Sequence, residues 1–145
     1  MFTGHIGLNV TDLDRSRDFY QRVFGLTAHG EGEDGDRRWT FLADGSGAVA
    51  VTLWQQSAGS FATGTPGLHH LAFSVDSLAE VRAAQETLRA LGVELVHGGV
   101  VGHADGLESG GIFFTDPDGI RLEISTADAE GAAAPSSTAP TCGFF

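Results

Sequence analysis

Two segments of this chain begin alike. His5-Ile6-Gly7-Leu8-Asn9-Val10 and His70-Leu71-Ala72-Phe73-Ser74-Val75 each lead with histidine and then place apolar side chains at alternate positions. Alternation at every second residue marks a strand with one apolar face. The residues just downstream of each segment repeat as well. After the first, Thr11 or Asp12 can cap a helix whose stripe is Leu13, Phe19, Tyr20, Val23 and Phe24, with Gly25 as its stop. After the second, Ser77-Leu78-Ala79-Glu80 has the form of a capping box, and Leu78, Val81, Ala84, Leu88 and Leu91 form the stripe before Gly92. A chain that repeats strand then helix in this way is constrained to fold as two copies of one small unit, each burying its sheet under its own helix.

The remaining strands complete both copies. In the first, a short strand near Leu26–His29 leads into a polar loop, Gly30–Asp36. Two more strands lie at about Arg38–Ala43 and Ala48–Gln55, joined by the hairpin turn Asp44-Gly45-Ser46-Gly47. Gln56–Gly67, with Ser, Gly, Thr and Pro and no period, reads as a linker. The second copy then has strands at Leu68–Val75 and Val93–His97, a glycine-rich loop at Gly98–Gly110, and a hairpin of Gly111–Thr115 with Ile120–Ser125. Its turn, Asp116-Pro117-Asp118-Gly119, carries Pro and Gly where a tight turn favours them. The expected class is α+β: two βαβββ modules, about 4–56 and 67–126, in a single domain over 1–126. Residues 127–145, rich in Ala, Gly, Pro, Ser and Thr, read as a flexible C-terminal tail, dispensable for the core, with Phe144 and Phe145 able to pin it to a partner surface.

Charge and composition narrow the function. A net charge of −11 repels a phosphate backbone, so no nucleic-acid partner is expected. No apolar run is long enough to span a bilayer, and the first residues lack a basic stretch followed by an apolar one. Cys142 is the single cysteine, which fits a reducing, cytoplasmic setting and gives no disulfide.

Strand parity singles out three residues. His5, Gly7 and Asn9 share one face, opposite Ile6, Leu8 and Val10; His70, Ala72 and Ser74 oppose Leu71, Phe73 and Val75. In the last strand Arg121, Glu123 and Ser125 oppose Ile120, Leu122 and Ile124. An acidic residue between Leu and Ile calls for a partner. A lone strand histidine is usually only hydrogen-bonded, but two imidazoles and one carboxylate at matched positions suit a divalent metal site with open positions. By the same parity Ala50, Thr52 and Trp54 share a face opposite Val49, Val51 and Leu53. His69 has the opposite parity to His70, and His29 and His97 read as surface or strand-end residues. His103 and Glu108, in the glycine-rich loop, are candidates for an acid or base. Trp39, Trp54 and Phe113 are cavity or core aromatics.

The stretches His5–Leu26, Gly67–Asp76 and Phe114–Ile124 resemble the vicinal oxygen chelate superfamily: glyoxalase I, extradiol dioxygenases, methylmalonyl-CoA epimerase, fosfomycin-resistance transferases and bleomycin-resistance binding proteins. The resemblance covers roughly residues 4 to 126. It implies eight strands forming a cupped sheet around a metal cavity, with His5, His70 and Glu123 at the family's ligand positions. It also implies a homodimer, in which His5 of one chain stands near His70 and Glu123 of the other or of its own. Glyoxalase I and the epimerase carry a fourth ligand, Glu or Gln, where this chain has Thr52, and a neutral hydroxyl is a poor ligand for a transition metal.

The sequence therefore points to a metal-dependent enzyme acting on a small chelating organic substrate. The triad suits Fe(II) or Mn(II) best, with Zn(II) or Ni(II) compatible. An extradiol-dioxygenase-like reaction leads, ahead of a glyoxalase-like lyase or isomerase and a fosfomycin-type transferase. Asn9, Thr52, Trp54, Ser74 and Arg121 are expected to line the substrate pocket. The rival from another class is a metal-free drug-binding resistance protein.

Overall fold

A computed structural model describes residues 3–135 and 140–144, with the side chains of 143 and 144 outside that description. Among the described residues there are two α-helices and eight strands, in two four-stranded sheets. The chain divides into two compact units, one of Met1–Ala62 with Pro117–Gly119, the other of Thr63–Asp116 with Ile120–Phe145.

The first unit runs β1 (Ile6–Val10), α1 (Leu13–Phe24), β2 (Thr27–Asp34), β3 (Arg37–Ala43) and β4 (Val49–Gln55). Its sheet order is β1-β4-β3-β2, with β1 parallel to β4 and the other pairs antiparallel. Asp12 starts α1: its side chain accepts from the Arg15 N–H at 3.0 Å. Gly25, at φ 65°, ends it in the left-handed region that favours glycine, and its N–H donates to the Gln21 carbonyl. Leu13, Phe19, Tyr20 and Val23 are buried, and α1 packs on β3 and β4. Burial of each such side chain contributes about 1.5–3 kcal/mol. Beneath them lie Leu8, Val10, Leu42, Val51 and Leu53, the apolar face that alternation assigned to the helix side. Asp118 is fixed within this unit, where its carboxylate accepts from the Thr11 N–H, the Thr11 hydroxyl and the Arg15 guanidinium.

Gly30–Asp36 is not the polar loop that its composition suggests, because β2 continues to Asp34 and only Gly35 and Asp36 turn. The reason is non-local. β2 is an edge strand whose register sets Glu31 against Thr40, Gly32 against Trp39 and Glu33 against Arg38. Exposed acidic side chains are ordinary on an edge. Gly32 is required by the Trp39 indole, which a β-carbon there would strike.

The second unit runs β5 (Leu71–Ser74), α2 (Leu78–Ala90), β6 (Val101–Gly102), β7 (Gly110–Thr115) and β8 (Arg121–Thr126). Its order, β5-β8-β7-β6, again has the first and last strands parallel. Ser77 caps α2 by accepting from the Glu80 N–H, and its hydroxyl donates to the Glu80 carboxylate at 2.9 Å. Val81 and Leu88 of α2 are buried, as are Leu71, Ile112, Phe114, Leu122 and Ile124, which register places on one sheet face.

The expected strand Val93–His97 is absent, and β6 forms later, inside the stretch read as a glycine-rich loop. The Val93 N–H is taken by the Leu88 carbonyl, wrapping the chain round the helix end, and only Val96 reaches β7, donating to Phe113 O at 2.8 Å. β6 pairs instead with Gly110 and Gly111, where backbones approach too closely for side chains.

Past Thr126 the described residues are bonded to the same unit. Ala129 N–H donates to Glu108 O at 2.6 Å, Ala133 pairs with Val101, and the Gly102 N–H donates to Ala133 O at 2.9 Å. Thr141–Phe144 form a 3-10 turn. The Thr141 N–H and hydroxyl both donate to His103 O, at 2.8 and 2.7 Å, and the hydroxyl also reaches Gly102 O. Ala133 and Thr141, within the segment read as a flexible tail, thus bond to β6 and the residue after it; the contact expected of Phe144 and Phe145 lies outside the described side chains. No described helix is long and apolar enough to cross a membrane.

Candidate active site

β8 places Glu123 on the sheet face opposite Leu122 and Ile124, as parity requires. Its neighbours on that face are Ala72 of β5 and Phe113 of β7. The side chain is only 4% exposed, so its carboxylate depends on protein partners for its hydrogen bonds. Two imidazoles supply them. His70 Nε2 lies 3.2 Å from Oε2, and His103 Nε2 lies 2.8 Å from Oε1. His70, just ahead of β5, is half-buried, and its Nδ1 is 2.8 Å from Nδ1 of His69. His103 comes directly after β6 and rests edgewise on Phe113, with ring centroids 6.1 Å apart. Its Nδ1 meets Ser109 Oγ at 2.9 Å. A carboxylate only accepts, so both Nε2 atoms act as donors towards it, and a neutral His103 ring then accepts at Nδ1 from the Ser109 hydroxyl.

Of the residues picked from the sequence, the structure brings His70, Glu123 and His103 together in the second unit. Ser74 of β5 is exposed and Arg121 of β8 half-buried, both on the Glu123 side of the sheet by register. Glu108 is exposed in the loop after His103 and lines a cavity of about 530 Å³ with Ser109, Asp128 and Ala133. His69 bonds to His70, a contact that its opposite parity did not suggest. Ser109 was missed altogether. No period runs through the loop that holds it, so nothing local marks a serine six positions after a histidine.

In the first unit, His5 is exposed just before β1, and Asn9 is exposed on β1. Thr52 is buried, and its hydroxyl accepts from the Trp54 indole N–H at 3.1 Å. Trp54 stacks on Trp39 at 5.7 Å and tilts against Phe41, so these three rings form one aromatic patch on β3 and β4.

Imidazole nitrogen beside carboxylate oxygen fits a divalent metal in the kind of its donors. Among the described residues no three His, Cys, Asp or Glu side chains form a ready-made metal cluster.

Known proteins share this architecture. A glyoxylase/bleomycin resistance protein/dioxygenase domain from Frankia sp. EAN1pec superposes with a TM-score of 0.74 at 23% identity, over 87% of this chain and 97% of that one, which shows the fold. The fosfomycin resistance protein FosX from Listeria monocytogenes, solved with Mn(II) and sulfate, gives 0.65 at 25% identity over 90% and 97%. In sequence, the lactoylglutathione lyase of Escherichia coli O157:H7 is 32% identical over 129 residues, 83% of this chain and 88% of the relative. The catechol-2,3-dioxygenase of Bacillus subtilis is 28% identical over 83% of this chain, which spans 40% of that longer protein. The defining pattern of one superfamily runs through residues 3–124, and with the paired four-stranded sheets it places this chain in the Glyoxalase/Bleomycin resistance protein/Dioxygenase superfamily.

Proposed function

We propose that this chain is a divalent-metal-dependent enzyme acting on a small organic substrate that chelates through two oxygens. The observation that carries the reading is the buried Glu123 carboxylate faced by His70 Nε2 at 3.2 Å. Those two side chains would hold the metal, with His5 the third ligand that the duplicated pattern assigns. When bound, the metal supplies Lewis-acid stabilisation of charge on the chelated oxygens. Around it, His103 holds the far oxygen of Glu123, and Asn9, Thr52, Trp54, Ser74 and Arg121 are proposed to contact substrate. The reading includes a homodimer in the cytoplasm and Fe(II) or Mn(II) as the metal.

Within this class, extradiol-dioxygenase-like ring cleavage is the favoured reaction. Thr52 supports it. A neutral hydroxyl engaged by an indole N–H is neither a ligand nor a base near neutral pH, so the proton shuttling that an isomerase needs has no group at this position. A lyase or isomerase is the second reading, supported by the lactoylglutathione lyases among the relatives. The test is metal analysis of the purified protein, then assays with Fe(II), Mn(II), Zn(II) and Ni(II). Oxygen uptake with catechols supports the first reading. Conversion of methylglyoxal hemithioacetal, or opening of fosfomycin, without oxygen uptake would replace it. Protein that binds drug and takes up no metal would mean a sequestering protein.

A further inference from the structure

We infer that His103 is a positioning residue for Glu123, itself oriented by Ser109, and that this relay leaves one carboxylate oxygen, Oε2, to a divalent metal. The inference rests on the metal-dependent reading of the site.

Glu123 has three side-chain torsions, and fixing them opposes the entropy of a long side chain. His103 Nε2 at 2.8 Å from Oε1 does this from one side. The imidazole is itself unusually well held. Its Nδ1 meets Ser109 Oγ at 2.9 Å, and its own backbone N–H donates to Ser109 O at 3.0 Å, so side chain and main chain are tied to the same residue. Its carbonyl accepts from the Thr141 N–H at 2.8 Å, and its ring lies against the fully buried Phe113.

The consequence is an asymmetric carboxylate. Oε1 is taken by a donor that packing keeps in place. Oε2 faces His70 Nε2, and a metal taking the place of the Nε2 proton would be shared by that nitrogen and that oxygen. An outer hydrogen bond of this kind orients a ligand and typically changes metal affinity about 10–100-fold when removed. Ser109 acts one step further out, by fixing which face and tautomer of the ring reach Glu123.

The experiment is titration calorimetry of the metal-free, full-length protein with Mn(II) and with Zn(II), with thermal melts of each metal-free variant. His103→Ala is expected to weaken binding about 10–100-fold. His103→Gln should recover most of that, because its amide can donate to Oε1. Ser109→Ala should weaken binding less, and should add little to His103→Ala, since both act through one bond. A wild type that binds neither ion overturns the metal reading and this inference with it. A wild type that binds, with His103→Ala within about twofold of it, overturns the positioning role alone. His103→Gln as weak as His103→Ala would mean that the imidazole is a direct ligand, which also overturns it. If His103→Ala does not fold, His103→Gln and Ser109→Ala decide: Ser109→Ala equal to wild type overturns the relay, and weakened binding by Ser109→Ala with His103→Gln near wild type supports it.

Discussion

Gly111 of β7 stands opposite Ser125 of β8 so closely that a β-carbon on Gly111 would press on the Ser125 backbone and on the Ile124 carbonyl. The obstacle is main chain, so no side-chain rotation relieves it. Gly111→Ala is therefore expected to force the two strands apart and to destabilise the protein by about 1–3 kcal/mol. Urea denaturation measures this. Glu123 lies on the displaced strand, so on the proposed reading metal affinity should fall in the same variant. An unchanged midpoint would show that the strands adjust freely.

On the proposed reading, removing the proposed ligands should remove the metal. Glu123→Ala and His70→Ala are each expected to lower metal content roughly tenfold or more. The triple variant of His5, His70 and Glu123 to Ala should purify metal-free and lack the rise in melting temperature that added metal is expected to give the wild type. Elemental analysis checks both. Full metal content in the triple variant would move the site elsewhere.

Thr52→Val tests the fourth position. The substitution leaves the Trp54 indole N–H without its acceptor and should cost about 1 kcal/mol of stability. Metal content is expected to stay unchanged, because the hydroxyl already accepts from the Trp54 indole and is a poor ligand for a transition metal. A matched loss of metal would make Thr52 a ligand after all.

Acid should act on a surface pair as well. The Asp14 carboxylate accepts from both Arg38 guanidinium nitrogens at 3.0 and 3.1 Å, and that hydrogen bonding, with the charges of Arg38 and Arg17, holds its pKa below the usual 3.8. A depressed folded-state pKa stabilises the protein fully above 3.8 and loses that contribution as pH falls through the folded value. Asp14→Asn should therefore be less stable than wild type at neutral pH and low salt, and the gap should close in strong acid. Raised salt should also narrow it. A gap that widens on acidification would contradict the pairing.

The C-terminal segment should matter to stability. Thr141→Val keeps the side-chain shape but removes the hydroxyl bonded to the Gly102 and His103 carbonyls, for a loss of about 1 kcal/mol. Removing residues 127–145 should cost more, because it also uncovers the outer edge of β6. Thermal melts of both variants decide, and a truncated protein that melts with the full chain would bear out the dispensable tail.

Features decided locally were legible in the sequence. Asp12 and Ser77 cap their helices, Gly25 and Gly92 mark the ends, and the turns at Asp44–Gly47 and Asp116–Gly119 fix their hairpins, because each depends on a few adjacent residues. β2 and β6 were misread because their evidence lies across the sheet. Gly30 and Gly32 look like loop until Phe41 and Trp39 are set beside them. The site divides in the same way. Glu123 was legible from parity alone, since a carboxylate between Leu122 and Ile124 needs a partner. That the partner includes His103, twenty positions back in a loop without period, comes from β6 forming where glycines permit close approach, and no local pattern records it.

The docking of Thr141 on His103 also bears on the order in which a growing chain can fold. Domains form as the chain emerges from the ribosome, N-terminal parts first. Every strand is complete in sequence by Thr126, yet the loop that reaches Glu123 is fastened by Thr141, well downstream. A nascent chain can thus assemble both sheets while the loop still lacks that clasp. Thr141, made after every strand of both sheets, thus finishes the setting of a side chain made earlier, and a chain stopped just ahead of Thr141 would keep those strands while loosening the corner that holds Glu123.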